Sequence, residues 1–191
     1  MAKPRDESKV ELIFQAALRV VLKEGFAGLK MKDVAREAGV ATGTLYIYFQ
    51  DKEALINALY VHLKQAKTSQ VMMSYDPEDP FPVTFKKLWF SFFEVGLREP
   101  ERMIFIEQFA RSPYLTPETR DQGDRMLRPF EEILAWGIRL HIVADLPPAV
   151  LVSQLMGPIF ELVKLHHDGH LTLTPALMDQ CFQMAWNSIR R

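Results

Sequence analysis

Between Thr42 and Lys52 the chain reads Thr-Gly-Thr-Leu-Tyr-Ile-Tyr-Phe-Gln-Asp-Lys. Thr42, Thr44, Tyr46 and Tyr48 concentrate hydroxyls and rings on one short segment, with Ile47 between them. Hydroxyls can bond phosphates or base edges, and methyl and ring carbons can meet thymine methyl groups. Gly43 removes a side chain where such a segment would press on a duplex. Lys52 stands at the expected start of the next helix, where an ammonium and a helix N-terminus together favour a phosphate. Lys30, Lys32 and Arg36 add positive charge just upstream.

This chemistry needs a scaffold, and the flanking residues supply one. Met31, Val34, Ala35 and Ala38 predict a short helix over 31–38, ended by Gly39, and a second over 42–48. Two short helices around a tight turn make a helix-turn-helix, whose second helix can enter a major groove. Val34, Ala35, Ala38, Val40 and Leu45 have the spacing of a small shared core. Upstream, Val10, Ile13, Phe14, Ala17, Leu18 and Val21 form one helical stripe over 8–24. Ser8 and Glu11 read as its capping box and Gly25 as its stop. Downstream, Asp51 caps a long helix reaching about Met72.

The run Asp33-Val34-Ala35, Ala38-Gly39-Val40, Gly43-Thr44-Leu45-Tyr46, Tyr48-Phe49 and Lys52-Glu53-Ala54-Leu55 resembles the TetR family of bacterial transcriptional repressors. With the first helix the likeness covers about 45 residues. The resemblance implies that Lys32, Thr42, Gly43, Tyr46 and Ile47 meet bases or the groove floor. It implies phosphate contacts for Thr44, Tyr48 and Lys52. Lys30 and Ala41 depart from the family pattern, standing where hydroxyl residues usually cap the two short helices. The cap of the second can then pass to Thr42. The resemblance also implies a C-terminal effector pocket and a four-helix dimer interface.

The remaining chain is helical by period, with no alternating strand pattern. Helices are expected over 82–98, 100–111, 117–142, 147–167 and 174–189, with Pro129 kinking or splitting the third of these. The fold class is therefore all-α, about nine helices, divided into a helix-turn-helix head (1–53) and an effector and dimerisation part (54–191). Trp89, Phe92, Phe93, Phe105, Phe109, Phe130 and Trp136 make the middle region aromatic and are the candidate lining of an apolar pocket. The last two helices carry Val150, Leu151, Leu155, Met156, Ile159, Phe160, Val163, Leu177, Cys181, Phe182, Met184 and Trp186, more apolar surface than one internal face needs. A homodimer through these helices is expected, since one head reads few base pairs and two suit a palindromic double-stranded site.

Composition narrows the alternatives. The chain has 191 residues, 48% of them hydrophobic, and a formal charge of -1, so a nucleic-acid site must be local. Residues 1–60 hold nine basic against eight acidic side chains, a weak steering field. One cysteine, Cys181, excludes an internal disulfide and a cysteine-based zinc site. The adjacent histidines His166 and His167, with Asp168 and His170, project in different directions and read as a polar helix end, so no metal is expected. No phosphate-cradling glycine loop, zinc-protease or nucleophile-elbow motif is present, so neither cofactor nor enzymatic activity is expected. The N-terminus lacks an apolar signal core, and the apolar stretch 146–160 is short and broken by prolines. A cytoplasmic DNA-binding regulator responsive to a small effector is the expectation, without a membrane partner. The alternatives are a helical interaction module that binds no DNA and, against the missing motifs, an all-α enzyme.

Overall fold

The computed structural model describes residues 7–191. They form ten helices: α1 (Glu7–Gly28), α2 (Met31–Glu37), α3 (Thr42–Tyr48), α4 (Lys52–Met72), α5 (Phe81–Arg98), α6 (Pro100–Ala110), α7 (Pro117–Arg125), α8 (Arg128–Arg139), α9 (Pro148–His167) and α10 (Pro175–Ile189). The tenth arises where one helix was expected over 117–142. Proline at position 129 cannot donate to the preceding turn, and it stands in the first turn of a separate helix instead.

Local chemistry explains most boundaries. Gly25 breaks α1 with φ 71°, in the left-handed region. The Asp51 carboxylate accepts from the Ala54 amide at 2.8 Å and caps α4. Thr116 and Thr174 cap α7 and α10 in the same way, each followed by proline at the first helical position. Ser8 and Glu11, read as a capping box, both lie in the first turns of α1. Glu11 meets His62 Nε2 at 3.1 Å, tying α1 to α4.

Two apolar clusters result. The first joins α1–α3 and the N-terminal half of α4 to Phe105, Ile106, Phe109 and Leu115. The second joins α5, α8, α9 and α10 with Val71 at the far end of α4. Helix α4 thus runs through both clusters and packs on α1, α5, α6 and α7. Phe105 and Phe109 stack with centroids 5.6 Å apart and are wholly buried beneath the head. Each such ring contributes roughly 1.5–3 kcal/mol.

Helix α9 is long and apolar enough to cross a bilayer by length and composition alone. Leu151, Leu155, Ile159 and Val163 bury one stripe of it in the second cluster. After α10 the chain returns to pair Arg190 with Val143 in an isolated antiparallel bridge.

Candidate nucleic-acid interface

The turn between α2 and α3 is closed by backbone. The Val40 amide donates to the Ala35 carbonyl at 3.0 Å, and Gly39 takes φ 67°, a conformation costly for any residue with a Cβ. Val34, Ala35 and Leu45 are buried to 1% exposure or less, and Ala38 and Val40 pack against them. The five residues expected to form this small core all do so.

With Leu45 anchored inward, the other faces of α3 point out. Tyr46 is 52% exposed and Ile47 77%, the opposite of what a bundle-filling helix shows. Thr42 and Gly43 are exposed, and Thr44 and Tyr48 half-buried. Ala41 occupies the cap position of α3 and no side chain caps it, so the cap does not pass to Thr42, which is the first residue of the helix. A Cβ at Gly43 would meet nothing within 4 Å. Nothing among the described residues therefore requires glycine there, although glycine costs a helix up to about 1 kcal/mol relative to alanine.

The cations divide into free and engaged. Lys32 is exposed on α2 and forms no ion pair among the described residues. Arg36 meets Asp33 at 3.0 Å, and Arg19 meets Glu37 at 2.6 Å. Lys52 is half-buried, and its ammonium donates to the Phe26 carbonyl at 3.1 Å and less closely to Ala27. It also lies 4.9 Å from the centre of the Tyr114 ring. Two of its three donors thus close the broken end of α1, which the sequence did not reveal because the carbonyls of that end carry no sequence signal.

Residues 13–59 match the family described as bacterial regulatory proteins, tetR family, and residues 80–190, more than half of the chain, match the tetracyclin repressor-like, C-terminal domain. The chain belongs to the TetR family. An uncharacterised HTH-type transcriptional regulator of Haemophilus influenzae is 27% identical over 190 residues, 95% of each chain. A TetR family transcription regulator from Marinobacter aquaeolei has the same fold with a TM-score of 0.90, at 26% identity over 97% of each chain. A transcriptional regulator FadR from Bacillus subtilis, solved in complex with stearoyl-CoA, superposes with a TM-score of 0.74 at 20% identity, covering 92% of this chain and 96% of its own. This TetR-family protein is thus a helix-turn-helix transcriptional regulator, from a family that is not enzymatic.

In this regulator the second cluster contains an apolar cavity of about 60 Å³, walled by Phe85, Leu88, Trp89 and Phe92 of α5, Leu127, Phe130, Ile133 and Leu134 at α8, and Val152, Leu155 and Met156 of α9. Of the aromatic residues singled out from sequence, Trp89, Phe92 and Phe130 line it. Phe105 and Phe109 do not, because α6 turns them into the first cluster under Phe26 and Tyr60. Phe93 is fully buried behind Trp89, and Trp136 packs edge-on against Phe81. The aliphatic wall from α8 and α9 went unrecognised because leucine and valine at helical spacing look alike in a core and in a lining.

Two further cations sit near this wall. Lys64 is buried and donates to Tyr60 Oη at 3.2 Å. One turn on, the Lys67 ammonium lies 4.6 Å from the Phe92 ring centre and 5.1 Å from that of Phe160. Burial lowers the Lys67 pKa to about 7, and the positive charge of Lys64 adds to the effect. Lys64 is also lowered by burial, with Asp124 opposing. Neither lysine was singled out from sequence, although steps of four and three along α4 put both on the face of Tyr60.

The exposed apolar surface of α9 and α10 is narrower than the sequence implied. Leu151, Leu155, Ile159, Val163 and Phe182 are core. Val150 at 49% and Met184 at 73% exposure remain outside, and Met156, Phe160, Leu177, Cys181 and Trp186 are partly exposed. Burial raises the Cys181 thiol pKa, which disfavours its thiolate. His166 Nδ1 lies 3.0 Å from the Leu171 carbonyl, so this ring serves the loop after α9.

Proposed function

We propose that this regulator binds a palindromic duplex as a homodimer and represses transcription, leaving the site when an apolar effector enters the α5–α8–α9 cavity. The observation that carries the DNA half is Gly43. It sits in a helix, with open space beyond its Cα, between exposed Thr42 and exposed Tyr46. A missing side chain without an internal reason fits close approach by an outside partner, and a groove floor is such a partner.

In this reading Lys32, Thr42, Gly43, Tyr46 and Ile47 face bases and Thr44 and Tyr48 face phosphates. Lys52 offers a phosphate its one remaining donor while holding α1 to α4. The head (1–53) reads DNA, and the part over 54–191 binds effector and joins two copies through α9 and α10. The half-sites then lie about one helical turn apart or somewhat more. The protein works in the cytoplasm, beside its operator.

The effector half is supported by the lining, which is apolar throughout, and by the stearoyl-CoA bound to the Bacillus subtilis regulator of like fold. At about 60 Å³ the cavity is smaller than the ~300–1,000 Å³ of ligand sites, so a ligand must part α5, α8 and α9. A ligand that binds only the parted state shifts the equilibrium by its differential affinity. Helix α4 touches both clusters and is the lever to the head.

In vitro selection with the purified protein tests this reading. It should enrich one inverted repeat, and apolar compounds should release the bound duplex. Enrichment of no palindrome at any salt concentration would favour a helical interaction module instead.

A further inference from the structure

Every side chain walling the α5–α8–α9 cavity is apolar or aromatic, yet the site is not electrically neutral. Lys67 places its ammonium on the outer rings of Phe92, a cavity wall, and of Phe160, which walls a separate cleft of about 170 Å³ between α6 and α9. The two rings meet edge to face with centroids 5.9 Å apart. No carboxylate pairs with Lys67 or Lys64 among the described residues. Lys64 has a phenol for company, and Asp124 acts on it only from beyond ion-pair distance. Lys67 is half-buried, and aromatic faces attract its ammonium without supplying a counter-ion. The indole N–H of Trp89, which lines the cavity, is buried without an acceptor among the described residues. An apolar chamber with an unpaired indole N–H in its wall, and an ammonium on the ring of one lining residue, is matched by an apolar molecule that carries an anionic acceptor.

We propose that the effector is a single-chain monocarboxylate, its hydrocarbon body in the α5–α8–α9 cavity and its carboxylate paired with the Lys67 ammonium beside Phe92 and Phe160. Lys64 reinforces the positive field from one turn away. The pairing supplies the counter-charge that the fold leaves out. It also explains why α4, the helix shared with the head, carries the anchor: the carboxylate pulls on the lever directly. This inference rests on the effector cavity proposed above.

The test uses the full chain and calorimetry at pH 6.5, with decanoate, decan-1-ol and decanoyl-CoA as probes. Decanoate should bind about tenfold or more tightly than decanol, since only the acid offers a charge-assisted pair. The thioester, which has no carboxylate at that carbon, should bind more weakly than the acid. In Lys67→Met the preference for acid over alcohol should vanish while alcohol affinity stays within about twofold. Equal binding of acid and alcohol by the unaltered protein overturns the anchor but leaves the apolar cavity standing. Tighter binding of the thioester, insensitive to Lys67→Met, overturns it as well. Binding of none of the three overturns the cavity and the anchor together. The acid-to-alcohol comparison is made on the unaltered chain, so it decides the matter even if the variant does not fold.

Discussion

Gly43 separates what a residue does for the fold from what it does for DNA. Gly43→Ala adds a methyl into open space on a helix, so thermal unfolding should show unchanged or slightly raised stability, by up to about 1 kcal/mol. Operator affinity should nevertheless fall, as read by a gel-shift titration; full affinity would mean that the groove does not approach this point. Lys32→Ala has a different signature. An exposed lysine that reads a base should cost roughly 1–3 kcal/mol and relax preference at one pair per half-site in a selection experiment. A loss spread evenly over all sequences would make Lys32 a phosphate contact. Lys67 adds a pH dependence. Its folded pKa of about 7 lies below the unfolded value near 10.4, so the unfolded chain binds more protons between those limits and stability rises with pH across them. The cost of the buried charge is fully present below about pH 7. Lys64 is the charged neighbour acting on Lys67, with Asp124 acting in turn on Lys64, and the α5 and α9 surfaces against it present Phe92 and Phe160. Affinity for a carboxylate effector should therefore decline as pH rises above 7, by up to tenfold per unit, while affinity for the matching alcohol should not. Titrations at pH 6, 7 and 8 would show this.

Helix α4 leads from the helix-turn-helix into the C-terminal helical part, and polar side chains in its first half reach the loop between α6 and α7. Asn57 donates to the Glu53 carbonyl in its own helix and to the Tyr114 carbonyl, both at 2.9 Å, and accepts from the Thr116 amide at 3.1 Å. Lys52, a turn and a half earlier, sits over the ring of the same Tyr114. The α6–α7 loop is thereby clasped to the first half of α4. Asn57→Ala leaves the Tyr114 carbonyl and the Thr116 amide without these partners and should cost about 1–3 kcal/mol, visible as a lowered midpoint in urea. It should also weaken the link between effector binding and DNA release, because α4 then moves without the loop. Such couplings explain which parts of the architecture were legible in sequence. Helix bounds followed from local signals: Gly25, Gly39, Asp51, the prolines and the apolar period place nearly every element within a residue or two. The identity of helix neighbours did not, because Phe105 and Phe109 have the same periodicity whether they face an effector cavity or the underside of the head. Asn57 was equally silent, since its partners are backbone atoms 57 and 59 residues away. The outward face of α3 was legible because Leu45 is its one strongly apolar inward position beside polar and aromatic neighbours.

For the whole molecule, the surface left over after both clusters form decides whether two heads act together. Met184 and Val150 lie exposed on helices whose other faces are core, and Met156, Phe160, Leu177 and Trp186 of the same two helices are partly exposed. Apolar side chains so placed gain about 25 cal/mol per Å² when a second copy covers them. A twofold axis through α9 and α10 would bring the same residues from each copy together, the self-complementary arrangement of symmetric dimers. Met184→Glu tests this without endangering the monomer, since at 73% exposure the side chain contributes little to its own fold. In a dimer it would set two carboxylates near one another in a drying interface, a costly burial. Sedimentation should show the variant as a monomer at concentrations where the unaltered chain is a dimer, with the unfolding midpoint of the isolated subunit little changed. Operator affinity should fall on the order of a thousandfold, towards non-specific binding, because each head would then meet its half-site alone. Should Met184→Glu remain a dimer with full operator affinity, the axis must lie on another face. The spacing of the two α3 helices, and with it the geometry by which an effector releases DNA, would then have to be rebuilt around that face.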